Sequence, residues 1–421
     1  MQCFPWLDFG LFQADARKWA VTMTYQPVPE GESGPPGPTA VYSRMSLKRV
    51  PWLRMLGTLT PFLAALAAFV VGGIMLFAMG VSPVEAYAAL IQGAFGSVNS
   101  IIDTIIKSVP LIFVAVGICV AFRGGVFNIG VEGQMILGGL GASALIIALP
   151  TLPAWALIPL ALLAGFLAGG LWGAIPGALK AYLGVNEILT TIMMNEIAVQ
   201  LMNFLLRGPM IDPAQIQRKS YVPQTIRFPM AADLPRLVPT RLHAGVILAV
   251  VAAVLVWLLL WRTSLGFRIR VVGLNVWAAR RSGIRVERHI LLAMLISGAL
   301  AGLAGAVQVM GVHHLMYTDA TATGFTVGAG FNGIVAALFG QLNPLGAIPA
   351  SLLFGGLLVG SNTMQRAVQV PTAFVTALNG LVVIFVVSSE IFRRLLARRQ
   401  ELLETARTEK APEIRQEAKP T

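Results

Sequence analysis

From residue 243 to residue 261 the chain carries no Asp, Glu, Lys or Arg, and comparable stretches recur along most of its length. A bilayer's hydrocarbon core takes about 20 helical residues to cross, so each such stretch is long enough for a spanning helix. Strands of a membrane barrel would be shorter and would alternate apolar with polar residues, which these do not. The expected fold is therefore all-α and polytopic, with about ten crossings counted from hydrophobic length. Composition agrees, with 56% of the 421 residues hydrophobic and only 12% charged.

The expected spans lie near 55–79, 103–122, 134–150, 154–180, 187–206, 243–261, 289–312, 344–361 and 372–392, with a shorter amphipathic piece at 83–98. Two glycine-broken segments, 123–134 and 323–341, read as interrupted or re-entrant elements, and their likeness in character fits two related halves. Residues 1–50 form a Pro-rich tail, 51–392 the transmembrane domain and 393–421 a charged tail. A formal charge of +12 would point to nucleic acid in a soluble protein, but here basic residues flank membrane helices and follow the positive-inside rule. Nucleic acid is not an expected partner; the lipid bilayer is. Seven arginines fall between 262 and 288, which places that loop and both tails in the cytoplasm. The loop 207–242, with six prolines, falls outside. Asp103 and Lys107, one turn apart, are expected to pair, and Cys119, inside an apolar run, to pack as a small apolar residue.

Polar side chains deep in such a protein are expensive. A charged one at mid-helix costs about 2.5 to 3.5 kcal/mol on insertion scales, so it faces protein or a water-filled path. The run Arg123-Gly-Gly-Val-Phe-Asn-Ile-Gly-Val-Glu-Gly-Gln134 holds several, Asn195-Glu196 sits near the middle of an apolar helix, and Asn332 lies in the second broken segment. Asn275 can cap a helix of about two turns that ends at Gly283. The chain lacks the Gly-x-x-x-x-Gly-Lys-[Ser/Thr] loop of nucleotide hydrolases. His313-His314 point about 100° apart on a helix and make a poor metal pair.

Four segments in order, Gly125-Val-Phe-Asn-Ile-Gly-Val-Glu-Gly-Gln134, Asn186-Glu187-Ile-Leu-Thr-Thr-Ile-Met-Met-Asn195, Val272-Gly-Leu-Asn-Val-Trp-Ala-Ala-Arg-Arg-Ser-Gly-Ile284 and Gly324-Phe-Thr-Val-Gly-Ala-Gly-Phe331, resemble permease subunits of bacterial ATP-binding-cassette (ABC) importers. The resemblance covers about residues 55–392 and is to the nucleoside branch, through Asn-Ile-Gly-x-Glu-Gly-Gln. It implies a cytoplasmic ATPase partner, an extracytoplasmic substrate-binding lipoprotein, a second related permease subunit in a heterodimer, and a place in the bacterial inner membrane. It implies no catalysis and no cofactor in this chain, ATP and Mg belonging to the ATPase. It also makes 273–284 the coupling helix, with Gly273, Asn275, Ala278, Ala279, Arg280 and Gly283 as the ATPase-coupling residues. An uncharged nucleoside needs hydrogen-bonding groups and an apolar wall. Asn128, Glu132, Gln134, Asn195, Glu196, Phe325 and Asn332 are the candidates for its path, Glu132 and Glu196 being equally open to a helix-locking role. Simple sugars and branched-chain amino acids remain alternative cargoes. An ATPase-independent transporter or channel, using Glu132 or Glu196 as an ion site, remains an alternative mechanism.

Overall fold

A computed structural model describes residues 51–216 and 223–371, with scattered positions from 374 to 388. Both expected tails and much of the 372–392 span lie outside the described residues. The chain runs α1 (Pro51–Ala78), α2 (Pro83–Phe95), α3 (Val98–Arg123), α4 (Val131–Ala148), α5 (Ala154–Leu183), α6 (Glu187–Arg207), α7 (Pro213–Ile216), α8 (Gly245–Arg262), α9 (Ser264–Leu274) and α10 (Val276–Arg281). It continues through α11 (Val286–Gln308), a π-helical turn (Val309–His313), α12 (Ala322–Thr326), α13 (Ala329–Phe339) and α14 (Pro344–Val368).

Local chemistry fixes many of these ends. The side chains of Ser82, Ser97, Asn186 and Asn343 each accept from a backbone N–H in the first turn of α2, α3, α6 and α14, and Pro83 and Pro344 stand at helix starts where no N–H is needed. Gly184, at φ 68°, stops α5 in the left-handed conformation.

Seven helices, α3, α4, α5, α6, α8, α11 and α14, are long and apolar enough to cross a membrane, so the chain is an all-α, polytopic membrane protein. The expected count of about ten is not reached among the described residues. One reason is α13, which with 11 residues is too short to cross alone; another is that much of the 372–392 span lies outside the described residues. The centre of the bundle is α3, with 83% of its most apolar window buried against 28% for α5 and α6. Without a hydrophobic driving force inside lipid, helices associate by close backbone approach. α4, α5 and α11 do so through glycine: a Cβ on Gly302 of α11 would overlap the Gly165 carbonyl and Gly169 of α5.

The two ends of the bundle differ. One is rich in arginine and carries α9 and α10. At the other, the loop after α6 is stitched to the segment after α11: Thr225 N donates to Met316 O (2.8 Å), Phe228 N to His314 O (2.9 Å) and Thr318 N to Pro223 O (3.0 Å). Asp103 of α3 pairs with Arg241 of this loop at 3.3 Å. It does not pair with Lys107 as the helical spacing predicts, because the loop brings a guanidinium to it from 138 residues away.

Candidate functional site

The first glycine-broken segment is a gap between two helices. α3 stops at Arg123, Gly125 turns the chain at φ 74°, residues 126–129 run without helix, and α4 starts after Gly130. The second is a gap between α12 and α13, where Val327 (φ 55°) and Gly328 (φ 70°) are both left-handed. A β-branched residue is strained there, so packing must impose the break.

Each gap exposes a helix N-terminus whose first N–H groups need acceptors. The residues at the caps are Gly130 and Gly328, which have no side chain to offer. Other helices supply the acceptors. Asn195 of α6 accepts from Gly133 N through Oδ1 (2.8 Å) and donates to Ile129 O (3.0 Å), so it caps α4. Glu132 of α4 accepts through Oε1 from Gly330 N (3.0 Å) and Phe331 N (3.2 Å), so it caps α13. A carboxylate at a helix N-terminus also meets the positive end of the helix dipole.

Asn128 completes this junction. Its Nδ2 donates to Gln134 Oε1 and to Ser297 Oγ of α11, both at 2.9 Å, while Oδ1 accepts from Gly130 N (3.1 Å) and Gln134 Nε2 (3.0 Å). Two donors and two acceptor positions are thus all in use, which leaves this amide nothing to offer a passing solute. Asn128, Glu132 and Gln134 are each no more than 1% exposed.

The remaining candidates divide. Phe325 is fully buried, its ring against Gly139 and 6.2 Å from the His313 ring. Asn332 is half-buried and donates to Gly328 O at 2.9 Å, one turn back in its own helix. Glu196 stands apart: next to Asn195 in sequence and so about 100° round α6, it is exposed, together with Gln200. The structure therefore brings Asn128, Glu132, Gln134 and Asn195 together, sets Phe325 near α4, and leaves Glu196 outside.

At the arginine-rich end, Asn275 Oδ1 accepts from Trp277 N and Ala278 N, both at 3.0 Å, and caps α10; Gly283 follows at φ 75°. Ala279 is buried in a cluster with Val272 and Val286, and Arg280 pairs with Glu287 at 2.7 Å, so this six-residue helix is held against α9 and α11. Leu274 (86% exposed) and Trp277 (75%) project away. Ala278 lies with them on the exposed side. Gly273 packs on the Arg123 carbonyl and on Gly125, and any Cβ there would overlap them. Residues 126–129 then lead to the junction, so α10, α9 and the caps of α4 and α13 form one connected series.

Sequence reasoning missed Ser297, the partner of Asn128, and gave no role to Arg123, whose guanidinium donates to Leu342 O (3.2 Å) and Gln341 O (3.3 Å) beyond α13. It also missed a cavity of about 360 Å³ at the loop end, bounded by Asp103, Lys107, Asp233, Arg236, His243 and Asn362 among others. His314, far from holding a metal with His313, pairs with Asp233 at 2.6 Å, and no metal-competent group of three ligands occurs among the described residues. The signals that pointed to the junction were polar side chains in apolar runs and the glycines that break those runs.

The family described as "Branched-chain amino acid transport system / permease component" matches residues 100–387. The guanosine ABC transporter permease NupP of Bacillus subtilis is 36% identical over 345 residues, 82% of this chain and 97% of the relative. The glucose ABC transporter permease TsgB13 of Haloferax volcanii is also 36% identical, over 80% of this chain and 88% of the relative. The nucleoside ABC transporter permease NupB of Lactococcus lactis is 31% identical over 84% and 97%. No solved structure matches the chain. With the family matching well over half its length, this multi-pass protein belongs to the permease components of ABC importers, related to nucleoside and sugar import systems and without enzymatic activity of its own.

Proposed function

We propose that the chain carries a nucleoside across a bacterial cytoplasmic membrane by alternating between outward and inward openings, in a heterodimer with a second related permease. The arginine-rich end lies in the cytoplasm, as the positive-inside rule requires, and α10 seats in a cleft of the ATPase. Leu274 and Trp277 supply apolar contact there, and a six-residue helix fits a role as part of another protein's interface better than one alone. The stitched loop end faces the substrate-binding lipoprotein, and the two glycine-broken elements mark two halves of a fold of about ten crossings.

The path itself runs along the outer face of α6, beside Glu196 and Gln200. A carboxylate on a lipid-facing surface is costly, so that face belongs against water or the second subunit. The junction of Asn128, Glu132, Gln134 and Asn195 forms the wall behind it, with Phe325 and Asn332 on the adjoining broken helix, and it moves as a unit when α10 is pushed. The observation that carries this reading is the contrast at positions 195 and 196: one side chain spent on capping α4, its neighbour presented outward.

Sugar is the second reading, favoured by the equal identity to the glucose permease. Uptake of radiolabelled nucleosides and sugars into cells with and without this gene separates them. Loss of nucleoside uptake alone supports the proposal. Loss of sugar uptake alone transfers the function to the second reading, and uptake that persists without the ATPase removes the ABC mechanism.

A further inference from the structure

At the arginine-rich end a pocket of about 300 Å³ opens between α9 and the start of α11, lined by Arg268, Ser282, Arg285, Arg288 and His289 with the backbone of Gly283 and Ile284. Three guanidiniums face one small space, and no acidic side chain among the described residues lines it. None of the three makes an ion pair among the described residues: the nearby carboxylate, Glu287, is taken by Arg280. His289, 7% exposed, also lines the pocket; its Nδ1 donates to Arg285 O at 2.7 Å, which leaves Nε2 as an acceptor. Arg285, at the cap position of the 23-residue α11, offers that helix no side-chain acceptor, and the Glu287 carboxylate of its first turn is occupied by its own backbone N–H and by Arg280.

Like charges gathered in a partly enclosed space repel one another, and an anion relieves the repulsion. Guanidinium forks match the geometry of phosphate oxygens, and the acceptor nitrogen of the imidazole suits a hydroxyl carried on the same group. His289 lies one turn inside a helix long and apolar enough to cross a membrane, so the pocket stands at that helix's end, the level at which a bilayer's phosphates would lie. We propose that this pocket binds a phosphate group, carried by an anionic phospholipid headgroup or by free phosphate, independently of which cargo the permease moves.

The test is native mass spectrometry of the full chain in neutral detergent, titrated with phosphatidylglycerol or phosphatidylcholine, in the presence or absence of millimolar inorganic phosphate. The wild type is expected to retain phosphatidylglycerol over phosphatidylcholine. Affinity should drop about fivefold per guanidinium removed, hence about 25-fold in Arg285→Gln/Arg288→Gln. Arg268→Gln, on a different helix, guards against misfolding of the double variant and should lose about fivefold. Arg366→Gln, exposed at the other end of the bundle, should lose nothing. Displacement of the lipid by inorganic phosphate would identify free phosphate as a competent occupant, and resistance to it would identify the lipid. Equal lipid affinity in wild type and folded variants overturns the proposal. So does unchanged lipid affinity with lost co-purification of the ATPase, which would assign the arginines to a protein contact instead.

Discussion

Asn195 and Glu196 are neighbours on α6 and meet opposite surroundings. The inner face of the helix spends its amide on the backbone of α4, with both ends of the side chain bonded. The outer face leaves a carboxylate open, beside Gln200. The difference teaches that polarity inside this protein has two uses. On the inner side it repairs the backbone where helices are broken, which any chain in an apolar medium must do. On the outer side it repairs nothing, and so is available to something that is not this chain.

The comparison breaks first at the place where the inner network meets the coupling segment. Gly273→Val forces a side chain into the Arg123 carbonyl and Gly125; the overpacking costs about 3 kcal/mol and should abolish uptake. Gly283→Ala meets open space at φ 75° and should cost about 1 kcal/mol from conformation alone, with uptake largely kept. Thermal unfolding in detergent and vesicle uptake read both variants. Equal damage from the two would remove Gly273 as the link.

Glu132→Ala comes next. It strips two N–H groups of α13, that of Gly330 buried and that of Phe331 part-buried, of their acceptor, and should lower stability by about 2 kcal/mol. Glu132→Gln keeps an amide oxygen for them and should recover much of that loss. If both variants keep wild-type stability, the cap of α13 is not what the carboxylate does.

His243 sharpens the comparison from outside the junction. Its Nδ1 accepts from Gly245 N (3.2 Å), so the proton sits on Nε2, which is buried without a partner. Burial first, and the nearby His314 second, pull its pKa from an ordinary 6.5 down to about 4. The unfolded chain therefore binds more protons in that interval, and stability is whole above pH 6.5 and falls as the pH drops toward 4. Unfolding midpoints across this range should decline less steeply in His243→Phe, by up to about 1 kcal/mol per pH unit. A parallel decline would place the responsible group elsewhere.

Much of the fold was legible in the sequence because its causes are local. Apolar length set the long helices, and Asn275 and Gly283 bounded α10. The junction was legible only in part. Asn128, Glu132, Gln134 and Asn195 stood out as polar groups in apolar surroundings, but what they bond to lies as far as 199 residues away, in a backbone with no sequence signature of accepting a cap. The same distance effect misassigned Asp103, whose partner arrives from a loop rather than from the next turn. The burial of Phe325 and the exposure of Glu196 depend on how α4 and α6 rotate against their neighbours, which periodicity does not reveal in helices apolar on nearly every side.

The central claim is the division of labour between the buried junction and the outer face of α6, and paired measurement of uptake kinetics and thermal stability on Asn128→Ala and Glu196→Ala tests it most directly. Asn128→Ala should lose about 2 kcal/mol of stability, leaving buried partners unpaired, while the protein that remains folded keeps its KM for the cargo. Glu196→Ala should unfold like the wild type and change KM or maximal uptake severalfold. The reverse pattern, with altered KM at Asn128 and lost stability at Glu196, would contradict the account.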